Sequence, residues 1–390
     1  MSTQTSGRMA WLDACRVFAA LGVVLIHCTA DRAGLPYGSA APAERIAPML
    51  LRAVAELSGS ELFFLISLFL LARGVDQKDR PYAEIVATQA KRLLVPFVAW
   101  SFFYTAFRLF KADAMGYVPG LLDQLSHWQS WVGYFALGTA QYHLHFLPTL
   151  FAIVLFVPLM KSATRFPIIG IAILPMIFLL DSVQGYIWGH ATDPLTRDYL
   201  LRIVKIACYT GYGLVAFSLC GLFKRKLPAK DWATLSRTLL FGVGLAMMAK
   251  LTYTSELIAT GHWGVRPAGA NLAHFLIPVL VFAAFMAARG FAWSPLVHHL
   301  AKYTFGVFLL HPIFIDIYDV ATVKAGFSVN PGVDVIAKWL FAVPASFALA
   351  YAISISRPCA WLIGLGPLPS FRLLSGAPAR KALLQPNGHR

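Results

Sequence analysis

Long apolar runs, broken by short polar and basic gaps, organise this chain. Runs near 11–30, 57–72, 93–110, 144–160, 166–181, 203–222, 238–256, 271–288, 303–320 and 336–356 are apolar over most of their length. About 20 such residues cross a bilayer as a helix, because lipid leaves no water to satisfy an open backbone. The pattern predicts an all-α membrane protein with about ten transmembrane helices. The runs at 57–72 and 166–181 are short for a crossing. The gap at 182–202, SVQGYIWGHATDPLTRDYLLR, carries Gly, Pro and Asp and reads as a loop. No internal repeat or appended soluble domain is visible. A transmembrane domain is expected over 1–356 and a Pro-rich, basic cytoplasmic tail over 357–390.

Composition agrees with the pattern. The 390 residues are 58% hydrophobic and 13% charged, where a soluble domain carries about a quarter charged residues. The net charge of +15 raises nucleic acid as a partner. The cations, however, sit in the gaps between apolar runs, where the positive-inside rule accounts for them. With the N-terminus inside, 21 of the 33 Lys and Arg residues fall on the cytoplasmic side and 10 outside. Lys205 and Lys250 lie within runs. Both termini are therefore expected in the cytoplasm; the protein is expected in the cell inner (plasma) membrane as a multi-pass chain. The N-terminus lacks the features of a cleaved signal peptide, so the first span should be retained. Cys15, Cys28, Cys208, Cys220 and Cys359 form no CxxC pair, and neither a disulfide framework nor a zinc site is read from them.

Ionisable groups inside apolar runs are costly and are the first candidates for chemistry. The segment RVFAALGVVLIH places Arg16 and His27 eleven residues apart. Eleven steps of about 100° make three turns plus roughly 20°, so both side chains share a face, roughly 16 Å apart along the axis. Ala19, Ala20 and Val23 lie between them on that face. One reading is a polar stripe with functional ends; the other is an Arg16 that snorkels to one interface and a His27 that caps the other. Glu61 opens SELFFLISLFLL, where it either orients His27 or faces interfacial water. Ser67 reads as a helix hydroxyl bonded to its own turn. Lys91 and Arg92 precede a span holding Pro96; they either meet donor phosphates or set topology. The stretch 127–148, with Trp131, Tyr142, His143 and His145, suits sugar rings and equally an interfacial aromatic belt. His143 and His145 are two apart and would not chelate together on a helix. His311 precedes Pro312, which frees a backbone carbonyl where it stands. The YTGYG at 209–213 superficially matches an ion filter but lies mid-span without a pore helix.

Taken in order, these segments resemble membrane acyltransferase family 3. Arg16 and His27 match its first-span spacing. ELFFLIS, with Glu61, Phe63, Phe64 and Ser67, matches the second-span motif, with Leu68 at the usual glycine. KRLLVP matches the basic run before a proline, with Gln89 at the position of a further arginine. HLHFL keeps His143 and has His145 in place of a tryptophan, and FLLHP supplies His311. The resemblance implies transfer of an acyl group, most often acetyl, from acyl-CoA as co-substrate to a hydroxyl of a sugar in a surface polysaccharide or glycolipid. No resident cofactor or metal is expected, and no nucleic-acid partner. His27 is expected as general base, with Arg16 and Glu61 beside it. Arg16, Lys91 and Arg92 are expected to hold the donor, and Trp131, Tyr142, His143 and His311 the acceptor. A transporter or flippase with the same residues lining its path, and a structural subunit of a polysaccharide assembly, are the competing classes.

Overall fold

The structure, a computed structural model, describes residues 9–78, 80–224 and 228–369. Among these the chain forms α1 (Ala10–Cys28), α2 (Pro42–Ala55), α3 (Ser60–Gln77), α4 (Tyr82–Met115), α5 (Val118–Ser126), α6 (Trp128–Ala136), α7 (Phe146–Val154), α8 (Val157–Arg165), α9 (Ile173–His190), α10 (Pro194–Phe223), α11 (Ala229–Thr260), α12 (Ala268–Ala287), α13 (Pro295–Ala301), α14 (Thr304–Lys324) and α15 (Pro331–Ile355), with no strand. Among the described residues nine units are long and apolar enough to cross a membrane, and the pair α7–α8, bent by 68°, passes the same test together, which makes ten if it crosses as one unit. Each expected run falls on one of these units.

The two short runs are completed by their neighbours. A 3₁₀ turn at Glu56–Ser58 joins α2 to α3, so the second unit spans Pro42–Gln77. Another at Pro167–Ala172 leads into α9. Hydropathy missed α2 because it carries Arg45 and Arg52. Arg45 is buried and donates to the carbonyls of Tyr37, Gly38, Ala40, Ile258 and Ala259, so it clamps a loop to the end of α11 rather than facing water.

The expected loop at 182–202 is mostly helix. α9 continues to His190 and α10 begins at Pro194, leaving only residues 191–193 outside. The Asp193 carboxylate accepts from the Thr196 N–H at 2.7 Å, and Pro194 follows it in the first turn. An acidic cap followed by proline starts a helix, since proline lacks a donor that the first turn cannot use. Ser294–Pro295 and Asn330–Pro331 start α13 and α15 in the same way. The YTGYG segment is plain buried helix in α10. A Cβ on Gly213 would lie 1.9 Å from the Met160 sulfur, so this glycine makes room for the Met160 side chain, while at Gly221 a Cβ would lie 2.2 Å from the Thr164 carbonyl oxygen, so there glycine lets α8 approach closely.

α1 and α14 run side by side in the same direction. Asp13 meets His298, just before α14, at 3.0 Å, and fourteen residues further along one path and thirteen along the other His27 stacks on His311. With α7–α8 counted as one crossing, α14 is the ninth, which requires that shared direction. The face bearing Asp13 also holds the Lys224–Asp76 ion pair at the ends of α10 and α3. It is called the N-terminal face below. Residues expected in the tail are partly built into the domain: Ala360–Ile363 forms a 3₁₀ turn, and Trp100 donates to the Leu362 carbonyl at 2.8 Å. The remainder of that tail, from residue 370, lies outside the described residues.

Candidate functional site

A cavity of about 390 Å³ enters from the N-terminal face between α1, α3, α4, α14 and residues 363–365. Its mouth carries Arg16, Arg80, Arg92 and Lys302, and its walls include Ile66, Leu70, Leu71 and Leu150. Phe63, Phe146 and Phe308 form its inner end. Charged groups at the mouth and apolar groups at depth follow from the bilayer, where a cation stays near water while its neighbours need not. Arg16 lies 4.0 Å from Asp13, one turn earlier. Gln89 and Arg92 lie on one face of α4 and both line the cavity, whereas Lys91, turned away by one residue, is exposed and does not. Ser67 lines the cavity and makes no hydrogen bond among the described residues, which replaces the expected bond to its own turn.

Beyond the aromatic end lies a cluster of imidazoles. Phe308 packs with its ring centre 5.4 Å from Phe63, 5.2 Å from Phe146 and 5.3 Å from His143. His311 stands 5.2 Å from His27, nearly parallel, and 5.3 Å from His143. Tyr142 covers His27 at 4.3 Å, and Tyr104 meets His143 edge-on at 5.2 Å. His311 is 0% and His143 3% exposed, while His27 is half-buried. Among the described residues, both ring nitrogens of His143 and Nε2 of His311 are buried without a hydrogen-bond partner. A buried polar atom left so costs about 1–3 kcal/mol, which a hydroxyl-bearing ligand would recover. Among the described residues none hydrogen-bonds the His27 ring.

Three local devices hold this cluster. Pro312 has no N–H, so the Phe308 carbonyl four residues back loses its helical partner. His311 Nδ1 takes that carbonyl at 2.8 Å. A carbonyl only accepts, so Nδ1 carries the proton and Nε2 presents a lone pair to the cluster. Gly138 lets the 138–145 loop fold against itself: its φ is +73°, and a Cβ there would lie 2.5 Å from the His145 Cα. Only glycine meets both conditions at low cost. Gln141 donates to Asp316 at 3.2 Å, and Lys111 meets the same carboxylate at 2.7 Å. The loop bearing Tyr142 and His143 is thereby tied to the helix bearing His311.

The remaining expected residues lie elsewhere. Glu61 is buried and accepts from the Tyr209 hydroxyl at 2.6 Å, so it braces α3 against α10 and does not orient His27. Trp131 donates to the Leu125 carbonyl at 2.9 Å and packs on Tyr134, away from the imidazoles. The His145 carbonyl accepts from Arg202 at 3.1 Å. Sequence reasoning missed Phe308, Arg80 and Lys302. Phe308 reads as one more apolar residue, and the two cations read as topology charges; only their placement around one cavity distinguishes them.

A helical membrane bundle with a cationic, aromatic-ended cavity below a set of imidazoles defines a polytopic membrane protein built around an internal site. A family model described as an acyltransferase domain matches residues 9–355, and the chain belongs to acyltransferase family 3. It is a membrane acyltransferase. No curated protein and no solved structure matches the chain.

Proposed function

We propose that this membrane acyltransferase moves an acyl group, acetyl first among candidates, from acyl-CoA to a sugar hydroxyl, with His27 as general base. The N-terminal face is taken as cytoplasmic, on the Lys and Arg distribution, and the membrane as the inner membrane. The observation that carries the reading is one helix serving two compartments. Arg16 of α1 lines the cationic cavity, and His27 of the same helix stands in the imidazole cluster on the other side of Phe308. The donor's phosphates would meet Arg16, Arg80, Arg92 and Lys302, with its pantetheine arm running between apolar walls toward the aromatic end.

In the transfer, the Phe308 ring turns aside so that the thioester reaches the imidazole cluster, where the acceptor oxygen attacks its carbonyl as His27 takes the proton. The carbon–sulfur bond breaks as the tetrahedral intermediate collapses, and the proton passes from the imidazolium to the departing thiolate. Hydroxyls ionise too weakly to attack unaided, and such a base contributes about 10²–10⁴-fold. His311 Nε2 accepts a hydrogen bond from the acceptor and so orients it. Purified full-length protein should release CoA thiol from acetyl-CoA in proportion to acylated sugar product. Thiol release without any acylated product across a panel of surface sugars would remove the sugar reading. Membership of an acyltransferase family favours transfer over the transport path that the same buried charges would otherwise suit.

Pro312→Ala tests the orienting role of His311. The new N–H competes for the Phe308 carbonyl, and the Nδ1–H tautomer loses its lock. We expect kcat to fall about tenfold, the worth of one hydrogen bond, with the acyl-CoA KM unchanged. Thermal stability should hold or rise, because a helical bond is restored. A variant with unaltered kcat would show that the proline acts on packing alone.

A further inference from the structure

A second cleft, about 520 Å³, lies on the N-terminal face at the foot of the α11–α12 hairpin. It shares no lining residue with the donor cavity. Trp232, Ser236, Arg237, Arg289 and Phe291 line it, and none of its lining residues is acidic among those described. The Arg289 guanidinium lies 4.0 Å from the Trp232 ring centre and 5.4 Å from that of Phe223, and it donates to the Phe223 carbonyl. It is thus held in place before any ligand arrives. Trp232 is only 5% exposed, yet among the described residues its indole N–H meets no acceptor. An indole N–H can only donate. Two guanidinium groups and an orphaned donor in one cleft call for an anion with several acceptor oxygens.

The surroundings decide what carries that anion. Arg237 begins a stripe on α11 that continues through Phe241, Leu245 and Met248 at helical spacing, exposed by 68%, 54% and 68%. A cation at the membrane edge followed by an apolar stripe into the bilayer matches a phospholipid in order and in direction. A free phosphate would use the cleft and leave the stripe idle.

We propose that this cleft binds the headgroup phosphate of an anionic membrane phospholipid, with Arg237, Arg289 and the Trp232 N–H as its contacts and an acyl chain along the Phe241–Met248 stripe. The inference is independent of the acyl-transfer reading. The test is native mass spectrometry of the full-length protein in detergent, offered an equimolar mixture of dioleoyl phosphatidylglycerol and dioleoyl phosphatidylcholine. Wild type should retain phosphatidylglycerol preferentially. The double variant Arg237→Gln with Arg289→Gln should lose that preference by about tenfold or more. Trp232→Phe keeps a ring beneath Arg289 and removes the donor; it should lose about two- to tenfold. That second variant carries the test if the double variant fails to match wild type in size-exclusion profile and helicity. Dihexanoyl phosphatidylglycerol and inorganic phosphate should each displace the long-chain lipid poorly. Equal retention of the two lipids by wild type, unchanged retention in Trp232→Phe and in a folded double variant, or displacement by inorganic phosphate alone would overturn the proposal.

Discussion

His27→Ala lowers kcat by about 10²–10⁴-fold, the span over which a positioned base accelerates proton removal, while the acyl-CoA KM stays near its wild-type value. The separation follows from the geometry. His27 lies beyond Phe308, outside the cavity whose mouth holds the cations. The ring is half-buried and bonded to no described residue, so its loss leaves no structural partner unsatisfied and the protein should insert and fold. Rates from purified variant and wild type, at matched amounts of folded protein, give the comparison. Wild-type turnover by His27→Ala would transfer the base to His143 or His311. A labelled acyl group trapped on wild-type protein without acceptor, and absent from the variant, would instead make His27 a nucleophile.

The second large effect is expected at the mouth. Hydrogen bonds to charged groups are worth about 1.5–3 kcal/mol each, or roughly tenfold to a hundredfold in affinity. Arg16→Gln with Arg92→Gln should therefore lower kcat/KM for acyl-CoA by about 10²–10⁴-fold, chiefly through KM. The KM for the sugar should move little, because the acceptor sits on the far side of the aromatic layer. Arg16→Lys alone should give a smaller rise in the same constant, since an ammonium keeps the charge and loses the two-pronged geometry. The effect should also shrink as salt rises, because the mouth is open to solvent. A double variant that instead raised the acceptor KM would place Arg16 with the acceptor.

The crossings and the Arg16–His27 alignment were legible in the chain because both follow from local rules. Twenty apolar residues in lipid have few options but a helix, and helical angle alone puts residues eleven apart on one face. The same locality explains the misreading of 182–202, where glycine and proline suggested a break and the Asp193–Pro194 cap instead began a helix. Glu61 shows where local reading stops. Its neighbours in sequence pointed to an interfacial carboxylate near His27, while its actual partner, Tyr209, comes from 148 residues further along.

Hydropathy and spacing, properties of neighbouring residues, thus settled that this is a helical membrane protein and that a cation and an imidazole share its first helix. Which groups surround them was decided by packing between distant segments. Lys302 and Arg80 reach the mouth beside Arg16, Phe308 closes the cavity, and His143 and His311 gather around His27 only because a glycine turn, a proline break and the Gln141–Asp316 bond bring three helices and a loop to one point. The contacts among His27, His143 and His311 join residues more than a hundred positions apart, where no periodicity links them, and they exist only once the bundle has buried its aromatic core.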